Sequence, residues 1–233
     1  MKFVIRKSNE RGYANHGWLE SQHSFSFASY HDPAHMGFRS LRVINEDHVA
    51  PGGGFPSHPH RDMEIFSYVV AGTLAHKDSM GNGRELKPGQ IQLMGAGTGV
   101  LHSEFNPSST DHAHFLQIWI KPESLGLPPV YTEWHPTSES EQQSKLLVIS
   151  PDGRDGSARI RQNAEIFRIR LKSGESISHT LRPQRGVWLQ IIRGAVAIEG
   201  VRLESGDALK TEESGIFTLQ AESDTEALLF DLK

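Results

Sequence analysis

The chain has 233 residues, of which 22% are charged, and a formal net charge of −4. This length allows one or two domains with a buried core. The charge balance is that of neither a polybasic nucleic-acid surface nor an acidic tail, so no direct binding to nucleic acid is expected. The lack of cysteine excludes disulfide bonds, thiolate zinc sites and cysteine nucleophiles.

The apolar segments are short. The first ten residues, MKFVIRKSNE, contain only three consecutive apolar residues and lack the apolar core of a secretory signal. No segment approaches the roughly eighteen apolar residues that a membrane-spanning helix requires. These features predict a soluble, cytoplasmic protein without membrane attachment.

Short strands separated by turns are predicted along the whole chain. The run SFSFASY alternates, which places Phe25 and Phe27 on one face of a strand above a core. Asn82-Gly83 and Pro88-Gly89 are strong turn signals between apolar runs. Strands that recur about every eight to twelve residues with such turns between them are typical of a β-sandwich or β-barrel. The predicted fold class is therefore all-β.

One stretch, Gly52 to Asn106, carries two pairs of potential metal ligands. His58 and His60 are two residues apart, and so are His102 and Glu104. On a strand, side chains at positions i and i+2 point to the same face. If the two strands face each other, three imidazoles and one carboxylate meet at one point. Such nitrogen and oxygen donors suit a borderline divalent metal with open coordination positions.

Not every histidine in the chain is predicted to be a ligand. Thirteen histidines in 233 residues produce a pair with this spacing easily, and His112 and His114 form another one. No carboxylate or glycine framework of the kind found around the first pair accompanies it, so it is interpreted as the solvated start of the strand HFLQIWI. Pro59, between two predicted ligands, cannot donate to a strand ladder and is expected at an unpaired edge or a bulge.

Two glutamates compete for the position of the fourth ligand. Glu64 is an even number of residues from His60, so on a continuous strand it would also face the predicted metal site. However, four residues of extended chain, roughly 13 Å, separate it from His60. Glu104 needs no such reach because it lies two residues from His102. Both Glu104 and Glu64 are candidates for a catalytic base. The alternative for Glu64 is a buried carboxylate that accepts hydrogen bonds from a loop.

The ligand stretch resembles a known family. Two groups of residues have the spacing of cupin motifs, namely Gly52, His58, His60 and Glu64, followed by Gly99, His102 and Asn106. The segments RGYANHGWL, FSFASYHDP, HPHRDMEI, DSMGN and GAGTGVLHSEFNP are more narrowly similar to the pirin family of bicupins. This similarity extends from about Arg6 to the last strand. The long gap between Glu64 and Gly72, and Gly97 in place of proline, also resemble pirins.

The resemblance implies two packed β-barrel domains of the jelly-roll type. The proline-rich and polar stretch from Pro122 to Ser144 marks the boundary, which gives an N-terminal metal-binding barrel at residues 1–133 and a C-terminal barrel at 134–233. When IIRGAVAIEG is set beside VVAGTLAHKD, the ligand positions are replaced by Thr180, Arg182, Leu219 and Ala221. The second barrel is therefore expected to lack a metal site. His179 in that barrel is interpreted as structural.

The resemblance also favours His58, His60, His102 and Glu104 as ligands of one divalent metal. Iron(II) is the usual metal of the family, although these ligand types also accept manganese, nickel, copper, cobalt and zinc. The implied activity is that of a dioxygenase that cleaves the ring of a flavonol such as quercetin with O₂. The alternative is a metal-binding, redox-responsive regulatory protein that binds a protein partner, in the manner of a transcription cofactor, without turnover.

Overall fold

The computed structural model describes all residues from 1 to 233, and its regular secondary structure is almost entirely β-strand, as predicted. The first eleven strands are β1 (Val4–Arg6), β2 (Gly12–Asn15), β3 (Leu19–His23), β4 (Leu41–Val49), β5 (Gly54–His60), β6 (Glu64–Ala71), β7 (Leu74–Asp78), β8 (Gly83–Leu86), β9 (Ile91–Gly95), β10 (Val100–Phe105) and β11 (Ala113–Ile120).

The remaining eleven strands are β12 (Val130–Trp134), β13 (Lys145–Ser150), β14 (Ala158–Arg159), β15 (Ala164–Leu171), β16 (Ser176–Leu181), β17 (Gly186–Arg193), β18 (Ala195–Ile198), β19 (Val201–Glu204), β20 (Ala208–Thr211), β21 (Gly215–Ala221) and β22 (Thr225–Leu232). Three single-turn 3-10 helices complete the fold, at Ser8–Glu10, Ser140–Gln142 and Arg154–Gly156. None of these helices has the length or the apolar character needed to cross a membrane.

The strands form two compact units. The N-terminal barrel comprises residues 12–136 and 160–162, and the C-terminal barrel comprises 1–11, 137–159 and 163–233. This division differs from the expected domains at 1–133 and 134–233, because β1 pairs antiparallel with β20 and so adds a strand to the C-terminal barrel. The short segment 160–162 belongs to the other barrel. Neither the placement of β1 in the C-terminal barrel nor that of 160–162 in the N-terminal barrel can be recognised from the composition of the chain.

The N-terminal barrel is built from two antiparallel sheets. The larger sheet has the strand order β12-β9-β6-β11-β4-β3-β2, and the smaller has the order β5-β10-β7-β8. Strand alternation gives the larger sheet an unusual inner face, on which Asn45, Asp47, Ser67 and Gln117 are all buried polar residues. Pro59 lies on β5, which is the edge of the smaller sheet, as predicted for a residue without an N–H donor.

The C-terminal barrel has the same division into seven and four strands, but apolar side chains fill its interior. The sheets have the orders β1-β20-β17-β22-β15-β13-β14 and β16-β21-β18-β19. Its core includes Leu181, Leu189, Phe217 and Leu219. His179 is buried, with its Nε2 atom 3.1 Å from Asp231 Oδ2 and its Nδ1 atom 2.9 Å from Lys145 Nζ, which agrees with the structural role predicted for it.

Candidate metal centre

Two neighbouring strands of the N-terminal barrel bring the three predicted histidines together. His58 and His60 lie on β5, and His102 lies on β10, which pairs antiparallel with β5. The register places His58 directly opposite His102 and His60 opposite Val100. Because side chains two residues apart share a face, all three rings project to the same side of the sheet.

The three imidazoles form a compact donor group. His58 Nε2 lies 3.0 Å from His102 Nε2, and the ligand atoms of all three rings lie within 4.8 Å of one another. Ring centroids are 4.8 Å apart for His58 and His60, and 4.5 Å apart for His58 and His102. Two ligands about 2.1 Å from one ion and at right angles to each other are about 3 Å apart. The donor set therefore fits a divalent metal.

The surroundings of His60 and His102 favour the neutral form that binds metals. Burial, followed by the proximity of the other rings, lowers the pKa of His60 and that of His102 to about 3. The Nδ1 atom of His58 lies 2.8 Å from the carbonyl oxygen of Pro56. A carbonyl can only accept, so Nδ1 carries the proton and the lone pair of Nε2 points to the other two rings.

Glu104 lies two residues beyond His102 on β10, but its carboxylate is not part of the group of mutually close donors. Ser67 donates a 2.7 Å hydrogen bond to Glu104 Oε1, and the amide of Gln117 donates to Oε2. Burial raises the pKa of Glu104, and the hydrogen bond from Ser67 partly opposes this effect. The carboxylate thus lies in the wall of the site, held from the larger sheet.

A cavity of about 480 Å³ opens beside the histidines, inside the N-terminal barrel. His58, His60 and Glu104 form part of its wall. Its other lining residues are mainly aromatic or polar, and they include Trp18, Phe27, Phe55, Trp119, Ser21, Asn45, Asp47 and Gln117. The ring of Trp119 stands edge-on to that of His60 with centroids 4.8 Å apart. A cavity of this size has room for a small organic molecule next to the predicted metal ligands.

A bulge on β5 shapes one side of this cavity. Glu104 pairs with Phe55, whereas His102, two residues earlier, pairs with His58, so β5 carries one residue more than β10 in this interval. The extra residue reverses the alternation, and both Phe55 and His58 consequently face the cavity. The i, i+2 spacing in the sequence predicts the inward-facing histidines. It does not predict the bulge that turns Phe55 towards the cavity.

A buried polar chain crosses the opposite side of the cavity. Ser21 donates a short hydrogen bond to Asp47, and His23 Nε2 lies 2.9 Å from Ser21 Oγ. Burial, with the hydrogen bond from Ser21 acting in the opposite direction, raises the pKa of Asp47 to about 7. The negative charge of Glu104 adds to this rise. Sequence reasoning missed this chain, because its members come from β3 and β4 and have no shared spacing.

Glu64 does not face the cavity. It begins β6, where it pairs with Gly95 and Ile120, and it lies on the opposite face of that strand from Ser67. Its carboxylate forms an ion pair with Arg161, with Oε1 3.1 Å from Nε, and also accepts a hydrogen bond from the Arg161 backbone N–H. The parity argument was wrong for Glu64, because Arg61–Met63 interrupts the strand and Asp62 has a positive φ of 50°.

A fourth histidine, which is buried, lies beside the three-histidine group on the neighbouring strand. His76 on β7 pairs directly across from Glu104, and its ring centroid is 5.3 Å from that of His102. The side chain is 2% exposed, and neither ring nitrogen has a hydrogen-bond partner. Burial lowers its pKa, whereas the charge of Glu104 partly raises it. No sequence pattern indicates this position, because a single histidine in a strand has no informative spacing.

The Glu64–Arg161 pair is expected to contribute to stability rather than to metal binding. A Cβ atom at Gly95 would lie 2.0 Å from Arg161 Nη2 and 2.7 Å from Glu64 Oε1. Gly95→Ala should therefore displace the guanidinium and destabilise the protein, and Glu64→Gln should cost about 1–3 kcal/mol by leaving Arg161 without its anion. Because both changes act on one ion pair, their effects on thermal unfolding should be less than additive.

Gly83→Ala is the matched control for that comparison, because a Cβ there would meet only the His76 carbonyl oxygen, at 3.8 Å. It should leave the unfolding temperature nearly unchanged. Fully additive losses from Gly95→Ala and Glu64→Gln would contradict the shared-pair explanation.

Comparison with known proteins agrees with this geometry. The pirin family model matches residues 4–120, and a model described as the quercetinase C-terminal cupin domain matches residues 147–232. The chain is 49% identical over 228 residues to a quercetin 2,3-dioxygenase of Escherichia coli, covering 98% of this chain and 97% of that one. It is 38% identical to a pirin-like protein of Caulobacter vibrioides, with 94% and 95% covered.

Solved structures show the same fold. The crystal structure of YhhW from Escherichia coli has a TM-score of 0.96 and 48% sequence identity, and the match covers 100% of this chain and 98% of that one. A second structure, of the bacterial pirin YhhW in complex with nickel(II), has a TM-score of 0.94 and the same identity, with 99% of both chains covered.

Fold and site together define a bicupin, a protein of two β-barrels, with a candidate histidine metal site in the N-terminal one. The family matches extend over both barrels and the relatives over nearly the whole chain. The chain belongs to the pirin family, and the resemblance predicted from its motifs is confirmed.

Proposed function

We propose that this protein is a metal-dependent dioxygenase that cleaves the heterocycle of a flavonol such as quercetin with O₂. One observation carries the proposal, namely that the ligand atoms of three imidazoles converge and that two of these rings, His58 and His60, form part of the wall of a cavity lined by aromatic rings. The 49% identity to a protein named quercetin 2,3-dioxygenase supports the choice of reaction.

The cavity matches the chemistry of a flavonol. Flavonols are flat, conjugated and rich in hydroxyl groups, so they need apolar walls with a few polar partners. Trp18 and Phe55 meet edge to face with centroids 5.2 Å apart, and Phe27 and Trp119 do so at 5.4 Å. Between them, Ser21, Asn45 and Asp47 offer partners for hydroxyl groups. About 480 Å³ is sufficient for a molecule of this class.

The proposed ligands are His58, His60, His102 and Glu104. Three neutral imidazoles and one carboxylate leave a divalent ion with net charge +1 and, at coordination numbers above four, with exchangeable positions. Iron(II) is proposed as the ion, and nickel is the alternative that a solved relative suggests. When bound, the ion would lower the pKa of a hydroxyl group that coordinates it, as it does for water.

Glu104 is proposed as the group that accepts the proton of the flavonol 3-hydroxyl. Its buried carboxylate has a raised pKa, which makes it a stronger base than an exposed glutamate. Ser67 and Gln117 hold one carboxylate oxygen each, so the orientation of the acceptor is fixed before the substrate arrives. Glu64, bound to Arg161 on the other face of β6, takes no part in this step.

Spectroscopic turnover tests the proposal. Purified protein is freed of metal, loaded separately with iron(II), manganese, nickel or copper, and mixed with quercetin and related flavonols in air. The absorption band of the flavonol should disappear in at least one loaded sample, and His58→Ala should abolish this loss because it removes a ligand. His112→Ala, which changes an exposed histidine outside the cavity, should retain the activity.

If every loaded sample holds its metal and leaves all flavonols unchanged, the dioxygenase proposal fails. The regulatory alternative, in which the metal-bearing barrel binds a protein partner without turnover, would then take its place. The cytoplasmic location expected from the sequence stays a prediction.

A further inference from the structure

A second group of potential metal ligands lies on the opposite face of the larger sheet from the cavity. In β4, Asn45 and Asp47 face the cavity, so alternation turns Glu46 and His48 to the other face. The register places His48 directly opposite His114 on β11. We call Glu46, His48 and His114 the outer cluster.

The outer cluster has the geometry of a metal site. The ligand atoms of its three side chains lie within 4.8 Å of one another, as in the three-histidine group. His114 Nε2 is 3.0 Å from Glu46 Oε1, and the rings of His48 and His114 are stacked with centroids 4.0 Å apart. Two donors about 2.1 Å from one ion, at right angles, are about 3 Å apart. The Nε2 and Oε1 atoms already have this separation.

The strand framework holds these donors in place and leaves them accessible. Residues on neighbouring strands of a sheet are fixed by backbone hydrogen bonds, so the donors need little ordering when an ion binds. The side chains of Glu46 and His114 are 11% and 18% exposed, and His48 is exposed. Glu20 on β3 pairs across from His48 on its other side and adds a negative charge beside the cluster.

We propose that Glu46, His48 and His114 form a second divalent-metal site, separate from the cavity, that takes a borderline ion such as Ni²⁺ or Zn²⁺. Two imidazole nitrogens and one carboxylate oxygen are ligands that such ions prefer. With three protein ligands, water completes the coordination. A bound ion would link β4 to β11 through their side chains. The site does not rest on the flavonol proposal, since no cavity residue belongs to it.

Counting Ni²⁺ ions in separate variants tests this site. Untagged, full-length protein is stripped with a chelator and dialysed against Ni²⁺, and the bound metal is measured by elemental analysis. The wild-type protein should bind two ions per chain, and the variant His58→Ala with His60→Ala should bind one. Addition of His48→Ala to that variant should weaken the remaining binding at least about tenfold, as loss of a ligand does, whereas addition of His112→Ala should not.

Two outcomes would overturn the proposal. Either the variant with His58→Ala and His60→Ala binds no Ni²⁺, or the ion that it binds survives both His48→Ala and His114→Gln. A titration of the wild-type protein with Zn²⁺, followed by NMR of the imidazole nitrogens, requires no variant. The signals of His48 and His114 should shift together, and unchanged signals would likewise exclude the site.

Discussion

Protein that carries His58→Ala together with His102→Ala is expected to bind one metal ion fewer per chain than the wild-type protein. These two residues pair directly across β5 and β10, and their Nε2 atoms are 3.0 Å apart. Their removal leaves His60 as the only imidazole of the group, and one imidazole does not hold a divalent ion against a chelator. Elemental analysis of purified, chelator-washed protein measures the loss.

A matched double variant shows whether the effect is specific. His112→Ala with His135→Ala also removes two imidazoles, but both are exposed and neither belongs to a donor group. This control should bind as much metal as the wild-type protein. If the His58→Ala and His102→Ala variant also retains the full count, the metal centre has been placed wrongly.

Glu104→Gln is expected to weaken metal binding in the cavity far more than Glu64→Gln. The amide keeps the shape of Glu104 but removes the negative charge that would compensate the ion, and a loss of at least roughly 10–100-fold in affinity follows. The carboxylate of Glu64 is instead bound to Arg161 on the other face of β6. Glu64→Gln should therefore lower thermal stability and leave the affinity for the metal unchanged.

Competition with a chromophoric chelator gives both affinities under identical conditions. Glu104→Gln should also lose the turnover of quercetin. Glu64→Gln should retain it when the rate is expressed per amount of folded protein. If Glu64→Gln loses the metal while Glu104→Gln retains it, the two glutamates have been assigned to each other's roles.

The parts of the site that depend on local periodicity could be predicted from the sequence. The prediction of His58, His60 and His102 rests on the rule that residues two apart on a strand share a face. The pairing of β5 with β10 in the structure brings the two strands together. The edge position of Pro59 follows from its missing N–H donor. Each of these inferences needs only a few consecutive residues and the geometry of a strand.

The parts that depend on the ends of strands and on distant partners could not be predicted. Parity failed for Glu64 because three residues with a positive φ at Asp62 separate β5 from β6. Its partner, Arg161, lies in the segment 160–162, which is distant in sequence but belongs to the same compact unit as Glu64. Neither the interruption between β5 and β6 nor the distant origin of Arg161 can be recognised from the composition or the periodicity of the chain.

The interpretation of His112 and His114 shows the same limit. The sequence predicts a solvated His114 because no carboxylate or glycine framework accompanies the pair, but the structure places Glu46 Oε1, from another strand, 3.0 Å from the Nε2 atom of His114. His76 is a similar case, since only the pairing of β7 with β10 places it beside Glu104. Contacts across a sheet depend on strand order and register, which local spacing does not encode.

The measurement that tests the central claim most directly is the gas balance of quercetin consumption by metal-loaded protein. Dissolved O₂ and released carbon monoxide are followed together with the flavonol in a sealed cell. Oxidative opening of the heterocycle predicts one O₂ consumed and one carbon monoxide released for each quercetin, with both signals absent in His58→Ala. Loss of quercetin without carbon monoxide, or equal rates in wild-type and His58→Ala protein, would contradict ring cleavage at this site.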